Sequence, residues 1–301
     1  MQLHLHLLTQ SHFVMKNTML ILVALLVTTT ASAQHFEIGG AVGVASYDGD
    51  LTEDFVDKFS DLGPSLGVFG RMNFNDYFNV KLGVNYGRLS GTDANSTDEN
   101  RLRRNLSFRS DVFEAAVTGE FNILGYQPYA LQRTFSPYLF AGVSAFYHNP
   151  KTEYNDQWVA LQPLGTEGQY IPGSTNQPYD LMQVAIPVGI GFKYAINDLW
   201  NLGFEMGTRI TFTDYLDDVS TDYADRNDLL SASGQLAADL ANRTGEYLGT
   251  DPINMAGRQR GNPDIRDFFT FTVVSLSYNL LDNGLVGSRG RNRRSQGCPT
   301  F

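Results

Sequence analysis

Few residues in this sequence could carry out catalysis. Of the five histidines, only His35 and His148 lie beyond the apolar N-terminal segment. His148 is the only candidate general base, and no serine is evidently paired with it as a nucleophile. The chain also lacks a glycine-rich phosphate loop, a zinc motif and a nucleophile elbow. We therefore predict no catalytic residue, no cofactor and no enzymatic activity.

Carboxylates are the second group of residues with a chemical role to consider. Clustered carboxylates could bind Ca²⁺, which takes roughly six to eight oxygen ligands, but their spacing here matches no complete EF-hand loop. We expect these residues to be solvated surface charge, with no specific metal site. They lie in two long connections, as Asp48, Asp50, Glu53, Asp54 and Asp57, and as Asp214, Asp217, Asp218, Asp222, Asp225 and Asp228.

A third group of charged residues shares one face of the predicted strands with many glycines. Charges on such a face suit the packed lumen of a narrow barrel, in which each charge needs a partner. Glu205 and Arg209 lie four residues apart on one strand face, so we interpret them as part of a structural charge ladder rather than as an acid–base dyad. The predicted lumen network is Lys81, Glu114, Glu120, Lys193, Glu205 and Arg209.

The elements that position these charges are long strands, shown most clearly by residues 181–194 and 199–212. In both runs every second residue is large and apolar, and the residues between them are small, polar or charged. A period of two predicts β-strands. Both runs exceed the roughly nine to eleven residues that a membrane-spanning strand needs. This pattern predicts strands with lipid on one side and a polar lumen on the other.

Two short connections support this interpretation. Asn75–Asp76–Tyr77 and Asn197–Asp198–Leu199 each leave three residues between neighbouring strands. With that spacing, the even-numbered residues of both strands share one face, whereas a two-residue turn would put one set on the opposite face.

The spacing of the strands predicts an all-β fold. Connections after strands 1, 3, 5 and 7 are long (48–62, 90–106, 149–180 and 214–266), and those between them are shorter. This alternation is typical of an eight-stranded antiparallel transmembrane β-barrel of the outer-membrane type, with short periplasmic turns and long extracellular loops. A soluble lipocalin-like barrel would reverse the two faces. The predicted strands are 36–46, 64–74, 77–89, 107–123, 136–148, 181–195, 199–213 and 267–281.

Two further conclusions concern the loops and the lumen. An eight-stranded barrel is too narrow for an open channel, so transport through this chain alone is disfavoured. Within the last long connection, Asp228–Tyr247 has a mild helical pattern that fits either a short lid helix or a mobile loop.

The N-terminal segment, residues 1–33, has the features of a secretory signal peptide. Lys16 precedes the apolar run Met19–Val27, and Ala31-Ser32-Ala33 is a cleavage site that would leave Gln34 as the mature start. Residues 1–14 lack these features, so we predict that translation begins at Met15. An N-terminal membrane anchor is the alternative, although the apolar run is short for one.

The predicted barrel occupies residues 34–283, and residues 284–301 form a tail of different composition. The only cysteine, Cys298, excludes an internal disulfide framework. A basic tail on a chain of net charge −10 is a candidate contact for a periplasmic partner, or else a disordered segment whose arginines lie at the membrane interface. No nucleic-acid partner is expected. The arginines concerned are Arg289, Arg291, Arg293 and Arg294.

Several short segments resemble a known family. These are 46–51 (SYDGDL), 213–220 (TDYLDDVS) after Glu205 and Arg209, and Arg260-Gly261-Asn262 ahead of 267–269 (DFF). Together they resemble the small outer-membrane barrels of the PorG type (DUF6089-like) of Bacteroidetes, which are associated with the type IX secretion system and gliding machinery. The most specific block contains the motif residues Asp214, Tyr215, Asp217, Asp218 and Ser220.

The resemblance implies a non-enzymatic accessory or scaffold of protein secretion in the outer membrane, with both termini in the periplasm. The implied partners are outer-membrane lipids and a periplasmic ring made of a lipoprotein and its partner protein. The family also has paralogues of unassigned role. Two alternatives are therefore kept: a surface-exposed binding or adhesin-like barrel, and a lipid-modifying barrel enzyme that uses His148.

Overall fold

The computed structural model describes residues 35–52, 61–127 and 133–280, and within these ranges ten strands form one antiparallel sheet. Eight of the strands are long and build the barrel, whereas β6 and β7 form a short hairpin beyond its rim. The strands are β1 His35–Asp48, β2 Gly63–Asn73, β3 Phe78–Thr92, β4 Ser107–Asn122, β5 Phe135–Tyr147, β6 Pro150–Tyr154, β7 Gln157–Ala160, β8 Met182–Ala195, β9 Trp200–Thr211 and β10 Phe268–Leu280.

The barrel closes because its first and last strands pair with each other. The order of the long strands is β3-β2-β1-β10-β9-β8-β5-β4, and β3 also pairs with β4. Val42 lies opposite Val274 at the β1–β10 seam. Every long strand therefore has two neighbours, which leaves no free sheet edge in the barrel. The predicted eight-stranded antiparallel barrel of the outer-membrane type is confirmed.

Large apolar side chains cover the outside of the barrel, as the alternation predicts. Val68 and Val143, for example, are 64% and 66% exposed. The register agrees with the parity argument, since Met72 lies opposite Val80 and Tyr194 lies opposite Leu202. A closed barrel with this outer surface satisfies its backbone hydrogen bonds internally and presents apolar atoms to lipid.

Both three-residue turns are fixed in the same way by an asparagine. Asn75 Oδ1 accepts hydrogen bonds from the backbone N–H groups of Tyr77 and Phe78, at 2.8 and 2.9 Å. Asn197 Oδ1 accepts the equivalent pair from Leu199 and Trp200, both at 2.8 Å. These asparagines complete tight turns that hold the register of the flanking strands.

The described parts of the four long connections pack together at one end of the barrel, and we call them the cap. The opposite end, which carries the short connections, is the turn end. The cap contains the β6–β7 hairpin and four short α-helices. No helix in the described ranges is long and apolar enough to cross a membrane. The helices are α1 Glu99–Arg104, α2 Arg226–Ala232, α3 Gln235–Ala241 and α4 Thr244–Leu248.

The cap differs from the sequence prediction in two respects. The helical pattern of residues 228–247 forms three short helices rather than one, and Gly234 separates α2 from α3 with a φ of +88°, a conformation that few residues other than glycine adopt. The β6–β7 hairpin was not predicted. Its turn residues, Asn155 and Asp156, have φ values of +51° and +59°. A type I′ hairpin turn requires positive φ at both central residues, and Asn and Asp adopt it more readily than most residues.

Three predicted features lie outside the described residues. They are the signal peptide 1–33 with its cleavage before Gln34, the tail 284–301 with its four arginines, and the acidic residues Glu53, Asp54 and Asp57. They remain predictions.

Candidate functional site

The predicted lumen charges lie inside the barrel, and Glu120 is at the centre of their lower cluster, near the turn end. Its carboxylate forms ion pairs with Lys193 and with Arg71, whose Nε lies 2.9 Å from Oε2. Lys81 Nζ is 3.7 Å from the other oxygen. Glu120 is 2% exposed, so three cations surround one buried carboxylate contributed by β4.

The other predicted pairs lie higher in the lumen, towards the cap. Lys81 forms an ion pair with Glu205, and Tyr138 Oη donates a hydrogen bond of 2.8 Å to that carboxylate. Arg209 holds Glu114 through two hydrogen bonds of 3.0 Å each. The structure therefore brings Glu205 and Arg209 into one network, but each has its ion-pair partner on another strand.

Sequence reasoning did not identify two members of this network. Glu37 accepts hydrogen bonds of 2.7 Å from Arg71 and from Asn73. With this pair included, the lumen network has four acidic and four basic side chains and is electrically balanced. Parity could have found both residues, since Arg71 is odd-numbered on a strand whose even-numbered residues are apolar. The network is Glu37, Arg71, Lys81, Glu114, Glu120, Lys193, Glu205 and Arg209.

The space left inside the lumen is small. A cavity of about 30 Å³ lies between the lower and upper pairs and is lined by Arg71, Lys81, Glu205 and Arg209 among others. That volume has room for about one or two water molecules. In the described part of the chain, the lumen is therefore packed with side chains rather than shaped to hold a substrate.

The segments that carry the family resemblance meet at the mouth of the barrel, under the cap. Tyr47 Oη lies 2.7 Å from Asp217 Oδ2 and 2.9 Å from Asp267 Oδ1. These residues come from three separate segments, and all of them are at most 1% exposed. We call the polar residues gathered here, all of them buried except the half-buried Asp50, the mouth cluster: Tyr47, Asp50, Glu167, Asp217, Asp218, Arg260 and Asp267.

Arg260 joins the last loop of the cap to the third. Its Nη1 donates a hydrogen bond of 2.9 Å to Glu167 Oε1 and another of 2.5 Å to the carbonyl oxygen of Asp218. The Glu167 carboxylate in turn accepts hydrogen bonds from the backbone N–H groups of Ser220 and Thr221, at 2.9 and 3.0 Å. One buried ion pair therefore fixes the backbone of residues 218–221.

The residue after Arg260 must be glycine because the backbone of Ser220 and the Asp50 side chain lie very close to it. A Cβ atom at Gly261 would lie 2.6 Å from the backbone nitrogen of Ser220 and 2.7 Å from Asp50 Oδ2. The next residue, Asn262, donates its backbone N–H to the same Asp50 oxygen at 2.9 Å. The contact between the first and last loops therefore has no room for a side chain at this position.

The prediction that the loop aspartates are solvated surface charge is wrong for Asp217 and Asp218, which are 1% and 0% exposed. Each is satisfied by partners distant in sequence. Asp218 accepts hydrogen bonds from Thr166 at 2.5 Å and from Tyr179 at 2.7 Å. By contrast, Asp222 and Asp228 in the same loop are exposed.

The remaining motif residues also pack within the cap. Tyr215 stacks on Tyr179 with ring centroids 4.7 Å apart, and its hydroxyl donates to Glu167 at 3.1 Å. Ser220 is buried, with its backbone N–H bonded to Glu167. Asp214 is half-buried, and burial raises its pKa to about 7. The motif therefore builds the interior of the cap.

The contacts around Tyr47 require a bound proton. A phenol has one proton and can donate to only one carboxylate, so its second contact requires a proton on Asp217 or Asp267. Burial, followed by the nearby Asp50 carboxylate, raises the pKa of Asp217 well above its ordinary value. Burial and then the Asp217 carboxylate do the same for the pKa of Asp267. We infer that the pair holds a proton at neutral pH.

This arrangement predicts that the cap becomes less stable as the pH rises. The pKa values of Asp217 and Asp267 are raised in the folded cap, so the folded cap binds more protons than the unfolded chain. This difference begins at about pH 4, the ordinary pKa of aspartate, and ends at the raised pKa values. The stability of the cap therefore falls as the pH rises through that range. Hydrogen exchange of residues 216–221, corrected for intrinsic rates, should show easier opening at pH 9 than at pH 6. Asp217→Asn should flatten this dependence, and Asp222→Asn, at an exposed site, should not. An unchanged slope in Asp217→Asn would contradict the assignment.

His148 is placed unfavourably for catalysis. It is fully buried between the rings of Phe146 and Tyr179, and burial lowers its pKa to about 4. Among the described residues, neither ring nitrogen is hydrogen-bonded to another side chain, so no serine is paired with it. Within the same ranges, no group of three or more His, Cys, Asp or Glu residues is arranged to hold a metal ion.

The outer surface of the cap carries an open groove above the mouth cluster. Its volume is about 770 Å³, and arginines and exposed aliphatic side chains form much of its wall. Leu248 and Ile253 are 44% and 41% exposed there. The groove is large enough for a small ligand or a peptide segment. The arginines in its lining are Arg101, Arg103, Arg104, Arg258 and Arg260.

Comparison with known proteins gives a family and a set of similar folds. The family model described as "Domain of unknown function (DUF6089)" matches residues 16–237. None of the curated proteins compared with the sequence matches it significantly. Neisserial surface protein A is 8% identical, with 82% of this chain and 99% of that chain covered and a TM-score of 0.39.

Two other solved barrels are similar to the same extent. Ail of Yersinia pestis is 9% identical, with 82% of this chain and 97% of that chain covered and a TM-score of 0.37. OprG of Pseudomonas aeruginosa is 10% identical, with 83% and 96% covered and a TM-score of 0.35. The likeness at these identities concerns the barrel fold.

Proposed function

The chain belongs to the DUF6089 family, and on that premise we propose that it is a non-enzymatic scaffold of the outer membrane, an accessory of the type IX secretion and gliding machinery. The observation that carries a scaffold role is the filled, charge-balanced lumen beneath a cap with a buried polar interior. Such an interior suits a rigid body that other proteins dock against, rather than a pore or a substrate pocket. The link to type IX secretion rests on the resemblance of the motif segments.

The same proposal implies an orientation of the barrel in the outer membrane. Short turns on one side and long connections on the other are typical of outer-membrane barrels, whose turns are periplasmic. The cap would then face outwards. His35 and Leu280 lie at the turn end, so both ends of the barrel, and the tail after it, would be periplasmic. The cleaved signal peptide 1–33 would deliver the chain to this membrane.

A periplasmic tail gives the scaffold a means to contact its partner. The four arginines from Arg289 to Arg294 would provide positive charge on the periplasmic side of the membrane. A basic segment on an otherwise acidic protein suits an acidic surface of a periplasmic ring, made of a lipoprotein and its partner, by electrostatic complementarity.

A surface-exposed binding barrel is the second candidate function, and the arginine-lined groove of the cap favours it. In that case the ligand would be anionic and would contact Arg258, which is exposed on the groove wall. The two functions make different demands, because the scaffold needs the tail and the binding barrel needs the cap groove.

The test is the extracellular proteome of strains that carry different forms of the chain. We expect deletion of the gene to leave exported proteins in the periplasm. Replacing Arg289, Arg291, Arg293 and Arg294 by Gln should reproduce that defect, whereas replacing them by Lys, which retains the charge, should not. Arg258→Glu should leave secretion intact if the scaffold proposal is right. Normal secretion in the deletion strain would contradict it.

A further inference from the structure

We propose that the outward rim of the barrel, where β3, β4 and β6 meet, binds the phosphate groups of a glycolipid in the outer leaflet. This inference rests on the orientation proposed above, with the cap outwards. It concerns side chains that neither the lumen network nor the mouth cluster uses. We call them the rim belt: Arg88, Arg109, Asp111, Lys151 and Trp158.

The register places the rim belt on the lipid-facing side. Odd-numbered residues of β4, such as Phe113, face outwards and are exposed, and Arg109 has the same parity. Lys151 lies opposite Arg109 across the β4–β6 pair. On β3, Arg88 has the parity of Tyr86, whose ring lies 5.2 Å from that of Phe113.

The depth of the rim belt matches that of lipid headgroups. Arg88 is two residues beyond Tyr86 towards the cap, and Arg109, opposite Ser90, is two residues further. At about 3.3 Å per residue these positions are roughly 7 and 13 Å along the strand from Tyr86. Aromatic side chains such as Tyr86 and Phe113 mark the interface between hydrocarbon and water. Cations within this distance on the cap side of them lie in the headgroup region, where the phosphates of membrane lipids are located. A soluble anion is not confined to this depth, whereas the phosphates of a membrane lipid are.

The hydrogen-bond donors of the rim belt are available to a ligand. The Arg109 guanidinium lies over the Trp158 ring, with Cζ 3.6 Å from the ring centroid, and this contact restricts its position. Among the residues that the structure describes, neither Arg109 nor Lys151 has a side-chain hydrogen bond or an ion pair. A guanidinium positioned in this way can bind a phosphate through two donors.

The local charge supports an anionic ligand. Arg88 forms an ion pair with Asp111 at 2.8 Å, and Asp111 also interacts electrostatically with Arg109. Three cations and one carboxylate still leave the rim belt with a net positive charge. Glu153 is exposed further along the hairpin and offsets part of this charge. The whole chain has a net charge of −10. The adjacent cations Arg109 and Lys151 at the membrane interface therefore differ in charge from the chain as a whole.

The experiment measures lipid retention by the purified mature protein, folded in detergent. Micelles are supplied with lipid A that carries its phosphates, or with the same lipid after their removal, and native mass spectrometry counts the bound lipid. We expect the phosphorylated lipid to be retained preferentially. Arg109→Gln combined with Lys151→Gln should weaken that binding about 25-fold, since each cation beside lipid phosphates contributes a factor of about five.

A charge-matched control separates the rim belt from general electrostatics. Arg133→Gln with Arg226→Gln removes the same charge elsewhere, at the turn end and on the cap away from the groove. This control should retain the lipid as the parent protein does, and heat-modifiable migration shows that every variant is folded. Equal retention of both lipids by the parent, or no loss in the Arg109/Lys151 variant, would overturn the proposal. Neither outcome depends on the secretion assay, so the two proposals can fail separately.

Discussion

Glu120→Gln is expected to destabilise the barrel by about 3–5 kcal/mol, because it leaves buried cations without their shared carboxylate. Glu120 contacts Arg71, Lys81 and Lys193 from one strand position, so its removal affects three strands at once. Burial of the unpaired charges costs far more than an exposed ion pair provides. The measurement is the denaturant midpoint of refolding in detergent, with folded protein scored by its migration before and after boiling.

Two further variants show whether charge balance is the cause. Glu120→Gln combined with Lys193→Met removes one charge of each sign and should recover part of the lost stability. Glu99→Gln removes a carboxylate from an exposed pair with Arg103 on the cap and should change stability by less than about 0.5 kcal/mol. If the double variant were no more stable than Glu120→Gln, the balance of the lumen charges would not be what stabilises the barrel.

Arg260→Met is expected to open the cap while leaving the barrel folded. The substitution keeps an apolar stem of similar length but leaves Glu167 and Asp218 buried without their cation. Removal of one partner from a buried ion pair typically costs about 3–5 kcal/mol. The free energy of opening measured by hydrogen exchange at the amides of residues 217–221 should therefore fall by a similar amount. The amides of the barrel strands should remain as protected as in the parent protein.

The neighbouring arginine provides the control. Arg258 is exposed on the same segment, and Arg258→Met should leave exchange in the cap unchanged. Loss of protection in the barrel strands of Arg260→Met would show that cap and barrel unfold as one unit. That result would contradict the view that the mouth cluster stabilises the cap locally.

These two networks differ in what they stabilise. The lumen network joins strands around the barrel, so it determines whether the chain forms a closed membrane-spanning body. The mouth cluster joins the first, third and last long connections through Tyr47, Glu167 and Arg260. A cap held in this way presents a fixed outer surface, which is what a scaffold or a binding barrel requires.

The sequence by itself determined the barrel, because the information is local. Alternation with a period of two assigns each side chain to lipid or lumen, and three-residue turns such as Asn75–Asp76–Tyr77 keep that assignment between neighbouring strands. The lumen residues could therefore be predicted from parity. The same reasoning could have added Glu37 and Arg71, and the Asn155–Asp156 pair could have indicated the β6–β7 hairpin.

The pairing of those charges and the interior of the cap were decided only by the tertiary structure. Tyr47 and Asp267 are 220 residues apart in sequence, and Arg260 and Glu167 are 93 apart. No periodicity relates such positions, since they meet only when the barrel closes and brings its long connections together. Aspartates 217 and 218 look like solvated charge in sequence because composition does not reveal partners at that distance. Closure of the barrel therefore brings these long connections together, and their acidic residues become buried and hydrogen-bonded.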